Sequence, residues 1–598
     1  MTILDELNTR VMLLDGAMGT YFNSLYPGNI EAEEANITRP GGIVNIHKEY
    51  IEAGCDIIRT NTYAVNHTLF RSEEDIKNTL VKAVDNAKKA VEETGANVYI
   101  LGSIGTIRQE ITMSEESLLS EYDMIIDTLY DEGVDGIFLE TFADLRIANE
   151  IAKRAKDRHE GILIFASFSV NPVGYTKFGY SIRQIIEGSD EFAGVGLNCS
   201  VGAAHMSKLL KKFKFPKNVY FSAHPNAGYQ LELRGRMRYS EVPHYFAKQM
   251  EDVVKAGCNI IGGCCGTTPE YTKVLRSMLN NMLEEISLPV NKEIIKSEVS
   301  KDDVKVYPNP FIDKLNSGEK VYVVELDSPL DNNADKFKNG AMLLKDQNVD
   351  LVTVSDSPMG RARADSPMLA MIMRNMTGME VMPHIACRDR NLIALRSALL
   401  GLNIAGINNM LVITGDPVSR DDRGTITGVF DVNSIRLMEY IKNMNKEVFK
   451  NNPMHLGGAL NYQGVNVDAI VGRMNKKIEQ GCEYFLTQPI FSDEDIERIR
   501  LLKSRVDCKI ICGIMPLVSY RNALYMHNEM PGVNVPDYVV DSFRADMSRE
   551  EAEAVSRRIS VEIADKLYDV ADGYYFMTPF WRVQLIGSII DEIRSKHS

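Results

Sequence analysis

The chain has 598 residues, room for about four average domains or for two barrels of about 250 residues each. Its net charge of -15 argues against a nucleic-acid partner, and no apolar span is long enough for a membrane helix. Nine cysteines outside any small-domain framework fit a reducing compartment. The opening Met1-Thr2-Ile3-Leu4-Asp5-Glu6 lacks the basic-then-apolar order of a secretory signal, so a cytoplasmic location is expected.

From the N-terminus, short apolar runs alternate with longer stretches of helical period. The runs are Val11–Met18, Cys55–Thr62, Val98–Gly105, Gly136–Ala143, Ile162–Val170, Gly194–Ser200, Val219–Gly228 and Cys258–Gly266. Such alternation implies parallel strands with right-handed crossovers, and eight units imply a closed barrel. From Leu283 to Ser317 the sequence is lysine-rich, holds Pro289, Pro308 and Pro310, and shows no apolar period, so 286–317 reads as a linker. The pattern then restarts with Lys320–Pro329, Leu351–Pro358, Val381–Asp389, Asn409–Pro417, Met454–Asn461, Tyr484–Phe491, Lys509–Pro516 and Gly573–Phe580. The gap from Pro516 to Gly573 leaves space for extra helices. The expected fold is α/β: two (β/α)8 TIM barrels in tandem, 1–285 and 318–598, joined by the linker.

Barrels of this kind keep their chemistry at the C-terminal strand ends. Here those ends carry Asp15, Asn61, Ser103, Glu140, Asn171, Cys199, Asn226, Cys264 and Cys265 in the first half. In the second half they carry Glu325, Asp327, Asp356, His384, Arg388, Asp389, Asp416, Asn461 and Gln488. A packing scaffold would scatter such residues over both ends, so two active sites are expected.

Cys199 closes Gly194-Val195-Gly196-Leu197-Asn198-Cys199, and Cys264 and Cys265 are adjacent in Gly262-Gly263-Cys264-Cys265-Gly266. Three thiolates on rigid strand ends match a tetrahedral zinc site with its fourth position open to a substrate thiol. Cys55, Cys258, Cys387, Cys482, Cys508 and Cys512 read instead as small buried hydrophobes. The paired cysteines resist that reading, because the flanking glycines let backbone approach closely and both side chains can turn to one ion.

Residues 1–285 resemble the homocysteine S-methyltransferase family. The motifs are Leu14-Asp15-Gly16-Ala17-Met18-Gly19-Thr20, Thr60-Asn61-Thr62-Tyr63, Gly102-Ser103-Ile104-Gly105, Leu139-Glu140-Thr141 and the two cysteine motifs, in order. The resemblance implies that Cys199, Cys264 and Cys265 hold Zn2+ and that Asp15 and Glu140 hold the ammonium group of the substrate amino acid. Without it, Asp15 is a turn residue in Asp-Gly and Glu140 a rim carboxylate.

Residues 318–598 are similar to methylenetetrahydrofolate reductase, closest to the form fused behind a homocysteine methyltransferase module. Glu325-Leu326-Asp327-Ser328-Pro329, Pro383-His384-Ile385-Ala386-Cys387-Arg388-Asp389, Thr414-Gly415-Asp416-Pro417, Thr487-Gln488-Pro489-Ile490-Phe491 and Gly513-Ile514-Met515-Pro516 carry the likeness. It implies FAD bound in the barrel, consistent with the lack of a Gly-x-Gly-x-x-Gly fingerprint. It makes Glu325 the general acid for the folate amine, and Asp416 a tuner of flavin and pterin. Gln488 and Asn522 become folate-binding amides, and His384 and Lys477 FAD contacts. Two positions depart from the pattern: the arginine before Gly-Asp is Thr414 here, and a tyrosine common after the fifth strand aligns with Asn461.

The two resemblances together imply a bifunctional one-carbon enzyme. One barrel would methylate homocysteine to methionine; the other would reduce 5,10-methylenetetrahydrofolate to 5-methyltetrahydrofolate with NAD(P)H. The competing readings are a second barrel that is a flavin- or folate-binding regulatory module, and a sulfonium-dependent methyltransferase with an unrelated passenger. No Asp-x-His-x-x-Gly cobalamin signature occurs, so the methyl donor is expected to be a sulfonium compound or a separate corrinoid protein.

Overall fold

The computed structural model describes residues 2–28, 30–107, 114–213, 220–228, 231–233, 236–238, 242–283, 308–416, 426–530 and 533–597. Val219 and Pro417, at the ends of two expected strands, and 286–307 of the expected linker lie outside these. The chain divides into two compact units, Met1–Val299 and Ser300–Ser598.

In the first unit the barrel strands are β1 (Met12–Leu13), β2 (Ile57–Arg59), β3 (Tyr99–Ile104), β4 (Gly136–Phe142), β5 (Ile164–Phe168), β6 (Gly194–Gly202), β7 (Tyr220–Asn226) and β8 (Ile260–Ile261). All pair in parallel, in the order β1-β8-β7-β6-β5-β4-β3-β2, and a parallel bridge between Leu14 and Ile57 joins the two ends. Their residues are buried on both faces, because helices cover the outside while side chains fill the inside. At the N-terminal end of the strands the helix Ile3–Leu7, fixed by a Thr2–Asp5 capping box, inserts Ile3 and Leu7 among Met12, Leu101, Phe138, Phe165 and Ile260. Between β7 and β8 lies an antiparallel hairpin, Leu231–Leu233 with Arg236–Arg238, that the periodicity did not disclose.

The second unit is a closed parallel barrel of β9 (Val321–Leu326), β10 (Leu351–Val354), β11 (Val381–Ala386), β12 (Asn409–Ile413), β13 (His455–Leu460), β14 (Cys482–Pro489), β15 (Lys509–Ile514) and β16 (Gly573–Met577). The β9–β16 pairing closes it from Val321↔Gly573 to Glu325↔Met577. Helices Tyr520–Asn528, Asp537–Asp541 and Arg549–Leu567 fill the long gap before β16. The expected linker extends too far: Pro310–Ser317 is a helix, with Asn309 as its N-cap. Its Phe311, Ile312 and Leu315 pack among Val321, Val323, Leu351, Met382, Tyr484 and Ile511. Both barrels are therefore plugged from the N-terminal strand ends, and the polar residues gather at the other end. Among the described residues, no helix is long and apolar enough to cross a membrane.

Candidate active sites

Cys199 lies where β6 breaks register with β7, between Asn198 and Gly202. Cys199 and Ser200 both take positive φ, 58° and 55°, a strained backbone that re-aims the thiol at the barrel rim. Cys264 and Cys265 leave β8 in a turn in which the Thr267 hydroxyl donates to the Cys264 carbonyl at 2.7 Å. A Cβ on Gly263 would sit 2.2 Å from that hydroxyl oxygen, so only glycine allows the turn. Cross-links to β7 hold it: the Cys264 amide donates to the Pro225 carbonyl and the Ala227 amide to the Cys265 carbonyl.

The three sulfurs lie within 4.8 Å of one another, and those of Cys199 and Cys265 are 4.0 Å apart. A zinc tetrahedron with bonds of about 2.3 Å has S···S edges of about 3.8 Å, so the donors fit the ion. Among the described residues this is the one cluster of three or more side chains able to hold a metal. Without a cation the thiols share charge unequally. Hydrogen bonds from Cys264 and Cys265 pull the Cys199 thiol well below the usual range, while contacts with Cys199 and Cys265 push Cys264 well above it. A bound dication removes that conflict by stabilising all three thiolates. Asn198 supports the site: its carbonyl accepts from the Thr141 amide at 3.0 Å and its amide donates to the Thr141 hydroxyl at 2.8 Å, with the Cys264 sulfur 3.9 Å away.

Asp15 and Glu140 come together at the same strand ends, but with a third residue that the sequence reading missed. Arg59, at the end of β2, donates from Nε and from its backbone N–H to the two Asp15 oxygens, at 2.7 and 2.9 Å. One terminal nitrogen pairs with Glu140 at 2.5 Å; the other donates to the Gly16 carbonyl at 2.7 Å. Ser103 donates to the remaining Glu140 oxygen at 2.5 Å. All are buried. Burial pushes the Asp15 carboxyl up against the pull of Arg59, while its two carboxylate partners raise Arg59 despite burial. The triad carries one net negative charge, which suits a single ammonium group.

In the second barrel Glu325, on β9, accepts a hydrogen bond from the Tyr575 hydroxyl on β16. Its pKa is raised to about 7, first by burial and then by Asp327, against the opposing pull of Tyr575 and Arg363. Nε2 of His384, on β11, lies 3.7 Å from the Glu325 carboxylate and is buried without a hydrogen-bond partner. Burial holds that imidazole neutral, with a pKa near 4. The structure thus places His384 and Tyr575 beside Glu325; Tyr575 was hidden in the apolar run Gly573–Phe580.

Asp416 follows β12 with its carboxylate exposed, accepting from the Met359 amide at 2.7 Å. Gln488 is exposed at the end of β14. Lys477 projects from its helix onto the Ala459 carbonyl of β13 at 3.0 Å, and burial lowers its pKa. Asn522 uses its side-chain oxygen to accept from the Val518 amide at 3.1 Å. Thr414 shares a hydrogen bond with Ser434, and Asn461 accepts from the Gln463 amide.

The homocysteine S-methyltransferase family model matches residues 12–279, and the methylenetetrahydrofolate reductase family model matches residues 311–593. The methionine synthase of Mycobacterium tuberculosis (strain ATCC 25618 / H37Rv) is 29% identical over 312 residues, 47% of this chain and 25% of that protein. That of Mycobacterium leprae (strain TN) is 28% identical over 303 residues, 45% and 24% of the two chains. The chain therefore spans about a quarter of the length of these curated relatives. Among solved structures, the metallated homocysteine methyltransferase MmuM from Escherichia coli is 19% identical, with a TM-score of 0.39 over 46% of this chain and 98% of that one. Its apo form is 21% identical, with a TM-score of 0.37 over the same shares.

Proposed function

We propose two activities for this chain from what it is made of: its first unit belongs to the homocysteine S-methyltransferase family and its second to the methylenetetrahydrofolate reductase family. The first activity is methyl transfer to homocysteine, giving methionine. The three converging sulfurs of Cys199, Cys264 and Cys265 carry this reading. These cysteines would hold zinc, which when bound deprotonates the substrate thiol and leaves it nucleophilic. The Asp15–Arg59–Glu140 triad would receive the α-ammonium group through its surplus negative charge.

The second activity is reduction of 5,10-methylenetetrahydrofolate to 5-methyltetrahydrofolate. Its carrying observation is the Glu325 carboxyl on a strand end with the Tyr575 hydroxyl and the His384 ring against it, where burial raises its pKa to about 7. Glu325 would donate its proton to the folate amine nitrogen, opening the five-membered ring. Gln488 and Asn522 would orient the folate. His384, Asp416 and Lys477 would hold FAD, which when bound relays a hydride from NAD(P)H. The unpartnered His384 nitrogen fits such a contact. The nine free thiols favour a reducing, cytoplasmic setting.

The test is assay of both reactions on one preparation. Replacing Cys199, Cys264 or Cys265 by serine is expected to release the metal and abolish methionine formation while folate reduction continues. Full metal occupancy in all three variants, measured by emission spectroscopy, would remove the zinc assignment.

A further inference from the structure

Arg388 lies just beyond the end of β11 and is only 2% exposed. A buried guanidinium needs partners for its donors, and each one here lies on a loop at the C-terminal rim. Two nitrogens fork onto the neighbouring Asp389 carboxylate, at 2.6 and 2.5 Å. A third donates to the backbone carbonyl of Asp416 at 2.8 Å, and the fork's second nitrogen also reaches the Ser357 carbonyl at 3.2 Å. Asp389 balances the charge, which leaves the two carbonyl contacts as ties between loops.

Those ties close a ring. Arg388 grips Ser357 and Asp416 by their carbonyls, and the Met359 amide of the same turn donates to the Asp416 carboxylate at 2.7 Å. Ser357 and Met359 hold positive φ, 47° and 55°, which costs energy unless surrounding contacts enforce it. Gly415 is shaped for the same contact: its φ is 92°, and a Cβ there would lie 2.9 Å from the Arg388 Cβ. The exposed Asp416 carboxylate is thus tied, through the Met359 amide, to a turn that the buried Arg388 grips.

We propose that Arg388 is the positioning residue for Asp416: by tying the Ser357–Gly360 turn to the Asp416 loop it sets where the Asp416 carboxylate points in the folate reaction. This deepens the reductase reading above and rests on it. A lysine keeps the charge but offers one nitrogen, which cannot hold Asp389 and both carbonyls in a planar fork.

The experiment compares Arg388→Lys, Asp416→Asn and the double variant in the full chain loaded with FAD. Reoxidation of the reduced flavin by methylenetetrahydrofolate is followed by stopped flow. Arg388→Lys is expected to slow it by about 10²-fold, as misplacement of a reacting group does. The double variant should be no slower than the slower single variant. Multiplying effects, or a normal rate in Arg388→Lys, would overturn the proposal. So would a slow Arg388→Lys beside a normal Asp416→Asn, since Arg388 would then act through another group. Hydrogen exchange at the Met359 amide gives a readout free of the reductase reading. Protection there should be lost equally in Arg388→Lys and in Asp416→Ala, whose side chain offers no acceptor, while the β11 and β12 amides stay protected; retained protection in Arg388→Lys overturns the positioning role whatever the unaltered chain does with folate. Should Arg388→Lys not fold, the exposed change Asp389→Ala loosens the same fork, and weaker Met359 protection in it supports the assignment.

Discussion

Arg59, Asp15 and Glu140 are all buried, so each depends on the others for its charge. Replacing Arg59 by methionine leaves two carboxylates facing each other out of water. Breaking a buried pair in this way costs about 3–5 kcal/mol. Urea unfolding of Arg59→Met, followed by a first-unit probe, should show a loss of that order, and an unchanged midpoint would mean that the triad contributes little. The carboxylates were legible in the sequence through their motifs; Arg59 was not, because it lies inside the run Cys55–Thr62 and carries no spacing signal. A usable cue did exist, since an arginine closing a buried strand must find counter-charges. Glu325 gives a second residue-level expectation. The general acid proposed at Glu325 would work in its protonated form, so folate-dependent flavin reoxidation should fall as pH rises through about 7. The Tyr575 hydrogen bond favours the ionised carboxylate, so Tyr575→Phe should raise that pKa and move the falling limb to higher pH. Stopped-flow rates across pH check the direction; a limb that moves down would show that Tyr575 stabilises the protonated acid.

At the scale of elements, all sixteen barrel strands were legible as apolar runs, but most runs overshoot their strands. Cys258–Gly266 contains only Ile260–Ile261 as β8, because the rest leaves the sheet to form the turn that aims Cys264 and Cys265. The excess marks where the backbone abandons pairing for chemistry. The helix Pro310–Ser317 was lost for the opposite reason. Pro308 and Pro310 looked like linker punctuation, yet Pro310 follows an Asn309 N-cap and Gly318 ends the helix in the left-handed region. With three buried apolar residues in eight, the helix is too short to display a period. Its value to the barrel is testable. Phe311 is 1% exposed and meets the Tyr484 ring edge-on at 5.4 Å. Phe311→Ala should destabilise the second unit by about 3–5 kcal/mol, read as a lower denaturation midpoint for flavin release. A midpoint within error of the parent would make the helix dispensable.

At the scale of the molecule, each unit closes its own ring of strands and carries its own plug and its own polar rim. The order of the two family matches was legible, since two sets of motifs follow one another along the chain. The three clustered thiols lie on β6 and just beyond β8, whereas Glu325, His384 and Tyr575 come from β9, β11 and β16. No side chain placed in one constellation belongs to the other. Chelation should exploit that division. Three mutually close thiols cannot all remain ionised without the cation, so removing it should leave Cys199 and its neighbours sharing protons and unable to activate a substrate sulfur. Methionine formation should then fall to background and return when zinc is restored. Bleaching of the flavin by NADH or NADPH, and its reoxidation by methylenetetrahydrofolate, should proceed at the untreated rate throughout. Loss of both activities on chelation, with both restored by zinc, would show that the metal also serves the second barrel and would end the separation of the two chemistries.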